Sequence, residues 1–191
     1  MHESVGSNGL TIDQRGRLLL MEHGNRLVSR LETNGSRTIL AHSYGFSRLN
    51  SPNDSVWHSS GWLYFTDPSY GLPELESDPL RELDFNGIYK LYPETGELEL
   101  LERNQSRPNG IALSLDDRTL YVANSDGSDK VWYAYDVNDA GELSNQRVFF
   151  DVNDQDIAGA ADGMKIDVNG NIFATGPGGV WVFDSEGKHL G

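Results

Sequence analysis

The stretch Asn109-Gly110-Ile111-Ala112-Leu113, followed by Leu120-Tyr121-Val122-Ala123, has the pattern of a β-hairpin: a polar residue, a short apolar strand, a turn and a second apolar strand. Three other segments share this pattern, and they run from Asn8 to Leu20, from Asn53 to Thr66 and from Asp162 to Thr175. In all four, the Leu or Ile of the second strand lies 10 or 11 positions after the first polar residue. So regular a recurrence indicates a structural repeat.

The spacing of the repeat predicts the architecture. The four hairpins begin about 50 residues apart, and further short strands with Gly-rich turns lie between them. Strands of this length at this period are typical of β-propeller blades, with about four strands in each blade. The sequence therefore predicts an all-β fold, a partial propeller of about three to four blades that forms one incomplete domain over residues 1–191. A β-sandwich is the alternative, but it does not account for a fourfold recurrence of one hairpin.

Composition narrows the classes of partner and cofactor. Fifteen Lys and Arg against 29 Asp and Glu give a formal charge of −14, which disfavours nucleic acid and anionic membranes as partners. Because there is no cysteine, a metal ion would have to bind oxygen or histidine. No apolar run reaches the roughly 20 residues of a membrane span, and residues 1–4 do not begin a signal peptide. We expect a soluble chain of the cytoplasm or periplasm.

The number of blades leads to a second expectation. A propeller closes with typically four to eight blades, whereas 191 residues hold only three to four of the predicted size. An unclosed propeller exposes sheet faces and strand edges, which favour pairing with another chain. We therefore expect further sequence or self-association with a second copy through these edges.

One position of the repeat carries the candidate metal site. In a propeller the first strand of each blade is innermost, so Asn53, Asn109 and Asp162 should converge at one end of the central channel. Two amide oxygens and a carboxylate suit calcium, magnesium or manganese better than zinc. Asn8 occupies the same phase and is a secondary candidate. The alternative is that these residues only fix turns, since Asn and Asp favour turn conformations.

Other polar residues are weaker candidates. His23 follows the second strand of its hairpin and is either a structural residue or a substrate contact. Asn8 and Tyr70 are further candidates for substrate contacts. Asp67 lies at the end of a strand and is interpreted as a carboxylate that fixes a turn. A serine hydrolase is disfavoured because no Gly-x-Ser-x-Gly elbow occurs.

The motifs in their order closely resemble the gluconolactonase, regucalcin and senescence-marker-protein family, especially its bacterial gluconolactonase branch. They are Asn50-Ser51-Pro52-Asn53-Asp54, Tyr64-Phe65-Thr66-Asp67-Pro68-Ser69-Tyr70-Gly71, Arg107-Pro108-Asn109-Gly110-Ile111-Ala112 and Ala161-Asp162-Gly163-Met164-Lys165-Ile166-Asp167. The resemblance runs along essentially the whole chain. It implies a six-bladed propeller that acts on lactones with one divalent cation at its axis, usually calcium, with zinc and magnesium as alternatives.

The resemblance also assigns roles to residues. Asn109 and Asp162 match metal-ligand positions of the family, and Asn53 matches an Asn at the metal and substrate. The family's Glu ligand has no counterpart, because Glu3 is too close to Asn8 and Glu22 belongs to a different strand.

The resulting hypothesis is a metal-dependent hydrolase, a gluconolactonase-type lactonase that opens sugar lactones to hydroxy acids. Asp162 and Asn53 are the predicted catalytic residues, and Asn53, Asn109 and Asp162 bind the metal. One alternative is a non-catalytic calcium-binding propeller or an inactive fragment of the enzyme, since a fold alone does not define a function. A second is an arylesterase or phosphotriesterase that uses the same metal site.

Overall fold

A computed structural model of the chain describes residues 6–191, in which regular structure is almost entirely β-strand. The chain divides into two compact units, Met1–Asn104 and Gln105–Gly191. The only helix among the described residues is a short 3-10 turn, Leu75–Ser77, so none of them forms a helix long and apolar enough to cross a membrane. The prediction of one domain over residues 1–191 stays a prediction.

The first unit contains two antiparallel sheets of four strands each, with the strands of each sheet in chain order. The first sheet consists of β1 (Ser7–Ile12), β2 (Leu18–Glu22), β3 (Leu27–Leu31) and β4 (Arg37–Ala41). A small hairpin, β5 (Ser43–Tyr44) with β6 (Ser47–Arg48), follows it. The second sheet consists of β7 (Ser55–Trp57), β8 (Leu63–Asp67), β9 (Gly87–Tyr92) and β10 (Glu97–Glu102).

The second unit repeats this arrangement. One sheet consists of β11 (Pro108–Leu113), β12 (Thr119–Asp126), β13 (Asp129–Val137) and β14 (Leu143–Asp151), and the other of β15 (Met164–Ile166), β16 (Ile172–Gly176) and β17 (Gly179–Phe183). Beyond β17, the N–H of Leu190 donates to the carbonyl of Val182, so the last residues lie alongside this sheet. Repeated antiparallel sheets of about four strands in chain order are typical of propeller blades, and the predicted all-β partial propeller is confirmed.

Several hairpin turns share one hydrogen-bonding arrangement. Between β1 and β2, Asp13 Oδ1 accepts the backbone N–H groups of Arg15 and Arg17, both at 2.9 Å. The same pair of bonds, to the second and fourth residues onward, forms at Asp167 and Asp184. A carboxylate that bonds its own main chain fixes the turn locally, so these turns are determined by residues within the turn itself.

Each unit has its own hydrophobic core between its two sheets. In the first unit the core includes Leu19, Met21, Leu63 and Phe65, all completely buried. In the second unit, Trp132 and Phe183 are buried within a group of aromatic rings that includes Phe149, Phe150 and Trp181. These cores hold the two sheets of a unit face to face.

The first strands of the two sheets in each unit approach closely at a glycine. The N–H of Gly9 on β1 donates to the carbonyl of Asn53 at 2.6 Å, and a Cβ added to Gly9 would lie 2.5 Å from that oxygen. In the second unit, a Cβ on Gly110 of β11 would lie 2.3 Å from the carbonyl oxygen of Asp162 and 2.6 Å from the Cα of Gly163. Such distances exclude any side chain, so backbone lies directly against backbone at both places.

We expect Gly110→Ala to destabilise the second unit, because the new methyl group can be accommodated only if two backbones separate. Overpacking of this kind costs about 1–3 kcal/mol, which corresponds to a fall in Tm on the order of 5 °C. Gly127→Ala is the matched control, because a Cβ there meets nothing within 4 Å. Equal melting temperatures for the two variants, measured by circular dichroism, would contradict the close approach.

Candidate functional site

The second unit brings two of the three predicted metal ligands together. Asn109 lies on β11 and is 9% exposed, and its neighbour Gly110 is the residue that contacts the backbone of Asp162. The backbone of Asp162 is fixed, since its N–H donates to the carbonyl of Thr175 at 2.9 Å. The Asp162 carboxylate is exposed, and no hydrogen bond or ion pair from residues 6–191 reaches it. The Asp162 carboxylate is therefore available on a hydrogen-bonded backbone that lies against the residue following Asn109.

The third predicted ligand, Asn53, belongs to the first unit and is only 3% exposed. Both of its backbone groups are bonded: its N–H donates to the carbonyl of Thr66 at 2.8 Å, and its carbonyl accepts the N–H of Gly9. Its side-chain amide forms no hydrogen bond with any residue between 6 and 191. Asn53 thus has a fixed position and an available amide. Its convergence with Asn109 and Asp162 stays a prediction.

The three candidates for substrate contacts lie near one another in the first unit. Asn8 Nδ2 is 3.4 Å from His23 Nε2. Next to Tyr70, Gly71 packs so closely that an added Cβ would lie 2.9 Å from the Cβ of His23 and 2.6 Å from that of Ser51. Burial lowers the pKa of His23, so its imidazole is neutral at neutral pH and has one N–H donor and one nitrogen acceptor. This grouping can form hydrogen bonds with hydroxyl groups.

Asp67 lies at the centre of a buried hydrogen-bond network. The sequence pattern indicates only a carboxylate that fixes a turn. Asp67, at the end of β8, is completely buried. Its Oδ2 accepts the N–H of Asn50 at 2.8 Å and its Oδ1 accepts the N–H of Ser51 at 2.7 Å. Burial raises the pKa of Asp67 to about 7, although both of these hydrogen bonds act in the opposite direction. The carboxylate therefore bonds residues 50 and 51 rather than its own turn, and the segment that it fixes leads to Asn53.

Glu22 is excluded as a replacement for the missing Glu ligand. It is completely buried, accepts hydrogen bonds from Ser29 Oγ and Asn25 Nδ2, and forms an ion pair with Arg37 at 3.1 Å. Its oxygens are therefore already bonded within the first sheet. Glu3 lies outside the described residues.

The donor set is compatible with a hard cation. Among the described residues, no group of three or more His, Cys, Asp or Glu side chains is placed to hold a metal ion. The predicted set contains only one such residue, Asp162, and its other members, Asn53 and Asn109, supply amide oxygens. Amide and carboxylate oxygens are ordinary calcium and magnesium ligands. The available carboxylate of Asp162 suits such an ion.

Comparisons with known proteins show the family of the chain. Residues 1–191 match the family described as "SMP-30/Gluconolactonase/LRE-like region". The chain belongs to this family. It is 38% identical to a gluconolactonase of Zymomonas mobilis, over 97% of this chain and 53% of that protein. The family that the motifs indicated is confirmed.

Solved structures of similar proteins support the same assignment. A gluconolactonase of Xanthomonas campestris superposes with a TM-score of 0.85 and 34% identity, over 97% of this chain and 61% of that one. A calcium-binding protein, regucalcin, of Agrobacterium tumefaciens is 20% identical, with a TM-score of 0.63 over 98% of this chain and 73% of that one. At 20% identity, the similarity to regucalcin shows the fold alone. The chain spans about half to two thirds of the length of the gluconolactonases that it matches.

We expect the imidazole of His23 to titrate below the ordinary histidine value of 6.5, because burial disfavours the charged ring. Its Cε1–H signal can be followed in a proton–carbon NMR titration and assigned by its loss in His23→Gln. A midpoint at or above 6.5 would show that the ring is solvated or faces a carboxylate, and would contradict the buried neutral form.

Proposed function

We propose that this chain forms part of a metal-dependent lactonase that hydrolyses sugar lactones to the corresponding hydroxy acids. The observation that supports the proposal best is the available Asp162 carboxylate beside Asn109, on a chain that is 38% identical to a gluconolactonase. Asp162 lies on a backbone that the adjacent strands fix. The side chain therefore extends from a hydrogen-bonded backbone and makes no bond within the described residues, which leaves it available for a ligand.

Asn53, Asn109 and Asp162 would hold the cation, with calcium preferred and zinc or magnesium as alternatives. When bound, a divalent cation supplies Lewis acidity for an ester carbonyl and lowers the pKa of water. The hard-oxygen donor set favours calcium or magnesium over zinc. Asp162 is the only carboxylate among these three ligands, so the formal negative charge of the ligand set comes from Asp162 alone.

The chain's own residues would perform the remaining steps. Asp162 would accept a proton from the attacking water as a general base. Asn53 would donate an amide N–H to the oxygen on which negative charge develops as the water adds to the lactone carbonyl. The ester bond then breaks, the ring oxygen takes up a proton, and the product is a hydroxy acid.

Asn8, His23 and Tyr70 would bind the substrate's hydroxyl groups. A neutral imidazole is suited to this role, because it donates to one hydroxyl oxygen and accepts from another hydroxyl. Asn8 lies next to His23, and Gly71, the neighbour of Tyr70, packs against both His23 and Ser51, two residues before Asn53. A sugar lactone presents hydroxyl groups along its ring, which matches such a polar grouping.

The proposal is tested by following glucono-δ-lactone hydrolysis with a pH indicator, above the spontaneous rate, with chelator and with added calcium, magnesium or zinc. We expect turnover that the chelator removes and added metal restores. Asp162→Ala should lower kcat/KM by about 100-fold or more, since it removes the proposed base and the ligand charge. Asn109→Ala should weaken the metal dependence.

Asp156→Ala is the matched control, because Asp156 is an exposed carboxylate of the same unit and loses the same charge. It should leave kcat/KM within about twofold of the unmodified chain. Turnover that both Asp162→Ala and Asn109→Ala leave intact would refute the assignment. Background rates with every metal, together with a calcium-dependent rise in Tm, would indicate a non-catalytic calcium-binding propeller. Faster hydrolysis of aryl esters or phosphotriesters would indicate the other esterase class.

A further inference from the structure

The buried Asp67 carboxylate has no role in the proposed reaction, yet it bonds the segment that leads to Asn53. We propose that Asp67 is a positioning residue, which fixes residues 50–53 and thereby the Asn53 side chain for lactone hydrolysis. The inference rests on the proposed function. Asp67 itself would touch neither the substrate nor the cation.

The two last residues of β8 bond every backbone N–H group in the segment 50–53. Asp67 accepts the N–H groups of Asn50 and Ser51, one on each carboxylate oxygen. The next residue, Pro52, has no N–H. The N–H of Asn53 donates to the carbonyl of Thr66, at 2.8 Å. The position of Asn53 is thus set by an uninterrupted series of bonds from one strand end.

The two carboxyl oxygens of Asp67 satisfy both N–H groups, because each oxygen accepts a different backbone donor. An Asn side chain at this position would have to direct its NH₂ group against one of the two N–H donors. One donor would then be buried without a partner, which moves or frees the segment.

A second set of contacts holds the same segment from its carbonyl side. Arg26, which is 5% exposed, donates Nε to the carbonyls of Leu49 at 2.8 Å and Asn50 at 3.1 Å. Asn50 Nδ2 donates to the carbonyl of Phe85 at 2.8 Å. These contacts restrain residues 49 and 50, whereas the backbone N–H of Ser51 is bonded to Asp67. Loss of the Asp67 carboxylate should therefore displace Ser51, two residues before Asn53.

The network extends to a second part of the proposed substrate site. Ser51 Oγ donates to the carbonyl of Pro68 and accepts the N–H of Gly71 at 2.8 Å. Gly71 is the neighbour of Tyr70 and packs against His23. Displacement of Ser51 would consequently disturb Tyr70 and His23 along with Asn53.

The chain provides a matched control in Asp78. This carboxylate is 7% exposed and accepts two backbone N–H groups, from Glu74 at 3.1 Å and Leu80 at 2.8 Å. It has the same chemistry and nearly the same burial as Asp67. It fixes residues 74–80, however, and makes no hydrogen bond to residues 50–53 among the described residues.

The test compares Asp67→Asn with Asp78→Asn for melting temperature, kcat and KM on glucono-δ-lactone. Both variants should lose stability, but only Asp67→Asn should lose kcat/KM by about tenfold or more, mainly in kcat, since misplacement by about 1 Å of a reacting group costs up to about 100-fold. Asp67→Asn with kcat/KM within about twofold of the unmodified chain would overturn the proposal. So would an Asp67→Asn chain that does not fold where Asp78→Asn does, because Asp67 would then act on stability alone.

Amide hydrogen exchange of the unmodified chain tests the positioning without a variant or turnover. The N–H groups of Asn50 and Ser51 should exchange as slowly as that of Thr66, which is bonded to the carbonyl of Asp54. Exchange at the rate of exposed turn amides would overturn the proposal by itself. If these amides are protected while no metal supports turnover, the proposed lactonase function fails separately.

Discussion

Direct contact between two backbones is the constraint on which the candidate site depends. At Gly9 and at Gly110, the first strand of one sheet lies against the residues that precede the first strand of the next, with no room for a Cβ. Each contact places two residues of the same repeat position side by side: Asn8 with Asn53, and Asn109 with Asp162. The polar repeat position and the glycine after it therefore act together, since the glycine permits the backbone approach that brings the two polar positions next to each other.

The fold and the repeat position were predictable because they depend on local rules. Alternating strands, Asp-fixed turns such as that at Asp13, and a constant hairpin spacing all lie within short stretches of sequence. The part of the site that could not be predicted depends on distant partners. Asp67 bonds amides 16 and 17 residues away, and no periodicity marks such a pair. The contact of Gly71 with His23 is likewise visible only in the structure. The self-association expected from the number of blades stays a prediction.

The candidate site combines fixed backbones with uncommitted side chains. Backbone N–H groups of Asn53 and Asp162 are bonded to neighbouring strands, whereas their side chains form no hydrogen bonds with residues 6–191. Fixed donors need little reorganisation when charge develops in a reaction, which is the main source of electrostatic catalysis. Asp67 contributes indirectly, because it fixes the backbone segment that leads to Asn53.

The most direct test of the account is paramagnetic line broadening by Mn²⁺, which prefers the same oxygen donors as calcium and magnesium. We expect substoichiometric Mn²⁺ to broaden selectively the NMR signals of Asn53, Asn109 and Asp162, and calcium in excess to restore them. Broadening centred elsewhere, for example on the acidic residues between Glu76 and Asp84, would contradict a metal site at this repeat position.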